Sequence, residues 1–210
     1  MPFITLEGVE GSGKSTQMEL LKEYFEARGI EAVALREPGG TAAAERIRAI
    51  LLNEEGYGLS HMAELFLYEA CRAEVVEKVI RPALNKDRTV ICDRYTDSTI
   101  AYQGYGRGLE IKAVDAMNRL ATGGLVPDLT LLIDLDPAVG LKRAFSRISK
   151  KTGAKEDRFE KEEFAFHERV RNGYLKIAGA EPLRVMVIDG TKEILSIHSD
   201  ICDIIEKNGL

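Results

Sequence analysis

A chain of 210 residues, 45% of them hydrophobic, can bury one good core and fits one α/β domain. Its 29 basic and 34 acidic residues leave a net charge of -5, which argues against a bulk nucleic-acid binder. No run approaches the ~18 apolar residues needed to span a bilayer, so no membrane partner is expected.

In chain order, Phe3–Leu6 reads as a strand and Lys14–Arg28 as a helix, with Met18, Leu21 and Phe25 on one face and Gly29 as its stop. A strand over Ala32–Leu35 precedes helices over Ala42–Leu52 and His61–Leu84, the second closing near Pro82. Thr89–Cys92 is the third strand. The stretch from Asp93 to Glu110 carries motifs but no expected helix, and Ile111–Ala121 is the next one. Strand Leu129–Leu135, helix Pro137–Ile148, helix Lys161–Ala178, strand Arg184–Ile188 and helix Thr191–Glu206 complete the alternation. Continuous apolar runs such as Leu131-Leu132-Ile133 are what strands covered on both faces look like. The expectation is one domain: a doubly wound, five-stranded parallel sheet flanked by helices, with ligands beyond the carboxyl ends of the strands. Cys71, Cys92 and Cys202 form no C-x-x-C and read as thiols of a reducing compartment. Phe3 opens the first strand without a basic and apolar leader, so a cytoplasmic protein is expected.

Between the first strand and first helix lies Gly8-Val9-Glu10-Gly11-Ser12-Gly13-Lys14-Ser15-Thr16, which fits G-x-x-x-x-G-K-[ST] in the required strand–loop–helix setting. Gly8 and Gly13 supply backbone freedom for a tight bend around an anion. The successive N–H groups, Gly11 and Ser12 among them, then point at phosphate, aided by the following helix N-terminus. Lys14, read as a solvent-facing cation, reaches the β/γ oxygens, and the Ser15 hydroxyl is placed to ligate Mg²⁺. The chain is expected to be a P-loop nucleoside triphosphate binder of the NTPase type.

Residues 142–158 hold seven basic residues, among them Lys142, Arg143, Arg147 and Arg158, against Glu156 and Asp157, with Thr152-Gly153-Ala154 as a flexible centre. Beside a phosphate cradle this reads as a basic lid over the triphosphate. The chain has no D-x-x-G, and Asn85-Lys86-Asp87 has the wrong spacing for N-K-x-D, so a GTPase is disfavoured. Asp93, at the end of the third strand, can hold the Mg²⁺ shell, and Arg94 can take a phosphate bidentately.

Asp93-Arg94-Tyr95 continues through Ser98-Thr99-Ile100-Ala101-Tyr102-Gln103, and the run resembles the thymidylate kinase signature D-R-[YFH]-x-x-S-x-x-A-[YF]-Q. Arg36-Glu37-Pro38-Gly39-Gly40-Thr41 is similar to that family's R-E-P-G-G-T, and Leu65 to Ala73 to its L-F-x-x-x-x-R-A helix. Pro127–Leu135, Gly140–Arg143 and Asp157–Glu160 agree in order, so the resemblance covers nearly the whole chain. It implies transfer of the ATP γ-phosphoryl to dTMP with Mg²⁺, in a homodimer; another nucleoside or nucleoside monophosphate kinase is the alternative, and a P-loop regulator without turnover a more distant one.

The resemblance also implies roles. ATP would contact the loop from Gly8 to Thr16, with Arg143 near the adenine. The acceptor would meet Glu10 at its 3′-hydroxyl, Arg36 and Arg94 at its phosphate, and Tyr68, Arg72 and Thr99 at the base. Tyr102 would crowd the ribose 2′ position, Ser98 and Gln103 would share the acceptor wall, and Asp157 and Glu160 would close over it. Some family members carry an arginine after the P-loop acid. Here that residue is Gly11, so the catalytic arginine is expected from the lid, with Arg147 the first choice beside Lys14 and Arg94.

Overall fold

The computed structural model describes residues 1–52, 58–148 (147 and 148 as backbone only) and 158–210. Five parallel strands, β1 (Phe3–Glu7), β2 (Ala32–Arg36), β3 (Thr89–Asp93), β4 (Leu129–Asp134) and β5 (Val185–Asp189), form one sheet in the order β2-β3-β1-β4-β5. All five expected strands are present, each within a residue of its expected ends.

Side chains on a strand alternate between faces, and here the two faces bury different sets. Ile4, Leu6, Leu129, Leu131 and Ile133 pack on one side against Met18, Leu21 and Phe25 of α1 (Lys14–Glu26) and Ile197, Ile201 and Ile205 of α9 (Ile194–Lys207). Phe3, Val90 and Cys92 pack on the other, against α2 (Ala42–Leu52) and α3 (His61–Val75). Leu132 and Val185 meet Val170 and Tyr174 of α8 (Phe164–Ala180) there too. Covering on both faces is why the strands read as apolar runs rather than alternating ones.

Local signals explain most boundaries. Gly29, at φ +75°, turns the chain so that the Ile30 N–H bonds Phe25 O at 3.0 Å and α1 stops. The Ser60 hydroxyl accepts from Ala63 N and starts α3. Helix α3 passes through a π-helical stretch, Val76–Ile80, into α4 (Arg81–Leu84), where one unbroken helix over His61–Leu84 was expected. The wider turn falls just before Pro82, whose ring would clash with a regular helical carbonyl. Asp189 accepts from Thr191 N and Oγ1, so a turn occupies the place where α9 was expected to begin.

One element was not expected at all. α5 (Thr96–Thr99) continues as a π-helical segment, Ile100–Gly106, before α6 (Ile111–Thr122). Its β-branched and glycine residues are weak helix formers, and tertiary packing prevails over that preference. A Cβ on Gly104 would stand 2.5 Å from Ile111, and one on Gly106 2.7 Å from Phe166, so its glycines let neighbouring helices close in. The helix that carries the start of the basic stretch, α7 (Pro137–Ile148), has the expected bounds. Among the described residues no helix is long and apolar enough to cross a membrane.

Candidate active site

The P-loop leaves the carboxyl end of the central strand β1 and enters α1. Gly8 has φ +141°, and a Cβ there would lie 2.4 Å from Ile133 O, so only glycine lets the loop pass β4. Gly13, at φ +102°, leads into α1. Gly11 is constrained by a neighbour that sequence reading did not supply. Its Cβ would stand 2.1 Å from Gly140 O, and a Cβ on Gly140 would stand 2.2 Å from Glu10 O. Helix α7 thus presses its backbone against the loop, and no arginine fits at position 11 without moving it.

Lys14 is not the solvent-facing cation that was expected. It is 7% exposed, and Nζ donates to Gly8 O, Val9 O and Ser12 Oγ at 3.0, 2.9 and 3.3 Å. Burial and the nearby Arg94 charge pull its pKa down to about 8, against the opposing pull of Asp93, Glu10 and Glu7. The ammonium holds the loop's own carbonyls from inside. Ser15 Oγ donates to Asp93 Oδ2 at 2.6 Å, joining the loop to the end of β3, and Thr16 follows, exposed, in the first turn of α1.

From this loop a cleft of about 820 Å³ runs toward α3. Fourteen of the expected contacts line it: Glu10, Gly11, Lys14, Ser15 and Asp93 at the loop end, Arg36 and Arg94 midway, Tyr68, Arg72, Ser98, Thr99, Tyr102 and Gln103 along the helical wall, and Glu160 opposite. The helix that was not expected supplies four of them, since Ser98 and Thr99 lie on α5 and Tyr102 and Gln103 on its π-helical continuation.

Arg94 is the centre of the hydrogen-bond network on the loop side of the cleft. Its backbone sits at φ +75°, a strained region for a side chain of this size, and Arg94 N bonds Leu6 O at 3.0 Å. The guanidinium donates to Ser98 Oγ (3.2 Å), Tyr174 OH (3.0 Å), Tyr102 OH (3.0 Å) and Glu10 Oε1 (3.2 Å). Behind it lies Glu7, fully buried, which accepts from Tyr95 N (2.7 Å), Ser98 Oγ (2.6 Å) and Tyr174 OH (2.8 Å). Burial and the nearby Asp97 push the Glu7 carboxyl up, against Arg94 and these hydrogen bonds.

Glu10 is a buried carboxylate within the P-loop, and its surroundings explain how it stays ionised. Burial alone would raise its pKa, but His167, Arg94, Tyr102 and Lys14 outweigh it and hold it down at about 2. Its Oε1 accepts a short hydrogen bond from Tyr102 OH as well as the Arg94 contact.

Arg72 is the centre of a second network, on the α3 side of the cleft. It is 1% exposed, with Nε on Glu37 Oε2 (2.9 Å), Nη1 on Glu69 Oε1 (2.9 Å), Thr99 Oγ1 (2.8 Å) and Asn118 Oδ1 (2.9 Å), and Nη2 on Tyr95 O (3.1 Å). Gln103 does not reach this group; it donates to Glu64 Oε1 at 2.9 Å, which also pairs with Arg107. Tyr68 lies half-buried on the cleft wall, its ring 6.4 Å from Phe159.

Arg36, exposed, is drawn to Glu45 Oε2 (3.2 Å) and Pro38 O (3.0 Å). Arg143 lies outside the cleft lining and donates to Gly190 O at 3.3 Å, across the gap between α7 and the β5–α9 turn. Asp157 and most of the basic stretch lie outside the described residues, as does the side chain of Arg147. Arg158, counted with that stretch, is tied to the body by Leu51 O (2.8 Å) and a short contact to Glu64. Sequence reading also missed Arg48 on α2, which lines the cleft and donates to Pro38 O at 2.8 Å, and Phe159 and Glu37 beside it. Arg48, a second arginine beyond the Arg36 motif, was available as a signal; Tyr174 and His167, lone residues on an amphipathic helix, gave none.

The family model described as Thymidylate kinase matches residues 6–201. This chain belongs to the thymidylate kinase family. A thymidylate kinase of Solidesulfovibrio magneticus is 55% identical over 188 residues, 89% of this chain and 90% of that protein. One of Pelobacter propionicus is 49% identical over 208 residues, 99% and 95% of the two chains. The crystal structure of thymidylate kinase from Ehrlichia chaffeensis superposes with a TM-score of 0.77 at 37% identity, covering 98% of each chain. The parallel sheet, its helical cover and the P-loop are therefore those of a thymidylate kinase fold.

Proposed function

We infer that this chain transfers the γ-phosphoryl group of ATP to the 5′-phosphate of dTMP, giving dTDP and ADP. The observation that carries this reading is one continuous cleft joining a P-loop to an arginine-and-aromatic wall. In this reading a donor phosphate and a nucleotide acceptor lie end to end in it, with Arg94, which lines the cleft, between them. The acceptor phosphate oxygen is already a nucleophile, so alignment and charge stabilisation suffice without a general base.

In this reading Lys14 leaves its loop carbonyls for the β/γ oxygens, and a nearby anion restores the ammonium charge that burial weakens. Arg94, Arg36 and Arg48 take the acceptor phosphate, Tyr68 stacks the base, and Arg72 with Thr99 reads its edge. Glu10 and Tyr102 meet the sugar, with Ser98, Gln103 and Glu160 supporting the wall. Ser15 and Asp93 are hard oxygen donors 2.6 Å apart, a pair suited to Mg²⁺, which keeps several waters and binds through one or two protein oxygens plus phosphates. When bound, Mg²⁺ would neutralise charge on the transferring phosphates. With Gly11 sealed by α7, the arginine bridging donor and acceptor comes from the lid, and Arg147 is assigned that place, with Arg143 near the adenine. Arg147→Ala should lower kcat by roughly 10²-fold with little change in either KM, by analogy with arginine fingers.

The deciding experiment is ADP release from ATP with a panel of nucleoside monophosphates. dTMP should exceed AMP, GMP, CMP and UMP in kcat/KM; equal values across the panel would remove the reading. A homodimer is part of the proposal, supported by Met62 (42% exposed) and Phe66 (56% exposed) on α3, and sedimentation tests it. The three free thiols support a reducing, cytoplasmic setting.

A further inference from the structure

At the back of the cleft two buried polar groups face each other without a hydrogen bond. Among the described residues, neither Glu10 Oε2 nor either ring nitrogen of His167 has a hydrogen-bond partner. His167, on α8, is fully buried, and its Nδ1 stands 3.4 Å from that oxygen, near enough to pair but too poorly aligned to bond. An interior imidazole without a partner is unfavourable, and an apolar ring would fill the same volume without that penalty. The carboxylate is the group on the page that gives a histidine something to do there.

The opposite edge of Glu10 is already committed. Oε1 accepts from Tyr102 OH and Arg94 Nη2, and both side chains line the cleft. Lys14 approaches from the loop side, and the Phe166 ring packs edge-on to the imidazole at 5.5 Å. A cation in place of His167 would compete with Arg94 for the carboxylate. An N–H donor on the α8 side fixes Oε2 and leaves the Arg94 pair on Oε1 intact.

We propose that His167 is a positioning residue for the acceptor: with its proton on Nδ1 it faces the Oε2 edge of Glu10 across 3.4 Å, a contact that tightens to a hydrogen bond when nucleotide binds and through Glu10 sets Arg94 and Tyr102 against it. The proposal rests on reading Glu10, Arg94 and Tyr102 as acceptor contacts. Phe166, its neighbour on α8, has no such donor, so the effect belongs to the imidazole N–H rather than to ring packing.

Steady-state kinetics of the full chain with ATP and dTMP test it. His167→Phe should raise the dTMP KM about tenfold, the equivalent of one hydrogen bond, while kcat and the ATP KM stay within about twofold. His167→Asn, which keeps an N–H donor near the Nδ1 position, should return the dTMP KM to within about threefold of wild type. Thermal melts check that each variant is folded, and His167→Leu replaces His167→Phe if the larger ring is not accommodated. A folded Phe or Leu variant with an unchanged dTMP KM overturns the proposal, and so does an Asn variant as impaired as the apolar one. Glu10→Gln separates the two layers. If it leaves the dTMP KM unmoved, the acceptor reading of Glu10 falls, and the proposal with it. If it raises that KM and His167→Phe does not, only the role of His167 falls.

Discussion

In the proposed reading two arginines mark the two ends of the cleft, Arg72 buried and Arg94 half-buried, and they are held in opposite ways. Arg72, at the base end, sits in regular helix between two buried carboxylates, Glu37 and Glu69, with neutral acceptors completing its shell. Its donors are taken up within that shell, and its geometry is fixed before any ligand arrives. Arg94, at the phosphate end, sits on strained backbone with one carboxylate and three hydroxyls around it, its side chain 20% exposed. Hydroxyls satisfy its donors without cancelling its charge, so an anion still gains by approaching. The comparison separates an arginine built to orient from one built to attract.

Arg94→Ala should produce the largest effect, lowering kcat/KM for dTMP by about 10³-fold, the scale on which single arginines stabilise phosphoryl transfer. A loss below tenfold in a folded variant would erase the distinction. Arg72→Ala should divide its effect between function and fold. The dTMP KM should rise roughly ten- to hundredfold with the ATP KM unmoved, on the scale of one charged contact. Removing the partner of two buried carboxylates should also cost about 3–5 kcal/mol of stability, read in a denaturant titration. Adding Glu37→Gln should recover part of that stability and none of the dTMP affinity. Recovery of both would make Arg72 a purely structural residue. Asp93→Asn should raise the magnesium concentration for half-maximal rate several-fold while nucleotide binding changes little; an unaltered titration would leave Asp93 as a strand-end partner of Ser15.

The smallest expected effect is on pH dependence, and the two ends differ in sign. Burial and the neighbouring Glu69 push Glu37 up to about 7, against Arg72. The folded state therefore holds a proton that the unfolded chain releases above its ordinary value of 4.5, so stability contributed there falls as pH rises from about 4.5 to 7. Glu10 is held near 2, so its contribution is present above 4.5 and is lost as pH falls toward 2. Glu37→Gln should flatten the first slope and Glu10→Gln the second, as followed by Tm against pH. An unchanged slope between pH 4.5 and 7 in Glu37→Gln would mean that Arg72 neutralises both of its carboxylates.

What could be read from sequence was whatever repeats along it. Short apolar runs located all five strands, and the glycine and lysine spacing located the loop, because both depend on residues a few positions apart. The helix over Thr96–Gly106 escaped because its stability comes from partners such as Ile111 and Phe166 rather than from its own propensities. Lys14 was misjudged because its burial depends on the carbonyls of Gly8 and Val9 curling back over it, which spacing does not report. The reason for Gly11 was likewise hidden in Gly140, a residue far along the chain. Glu7 and Glu37 were passed over because a carboxylate among apolar neighbours reveals its partners only after folding.

The position of β1 in the middle of the sheet has a kinetic consequence. Phe3 pairs with Val90 and Ile4 with Leu129, so the strand made first is completed by strands made much later. At about 5–20 residues per second of synthesis, its apolar run waits on the order of ten seconds for its β4 neighbour. Pairings this distant in sequence slow folding and prolong the exposure of sticky strand edges. The loop at the end of β1 reaches its close packing against Ile133 O only once β4 is in place. Nascent chains stalled before β4 should therefore bind no ATP, and nucleotide can stabilise this fold only after the central strand has closed.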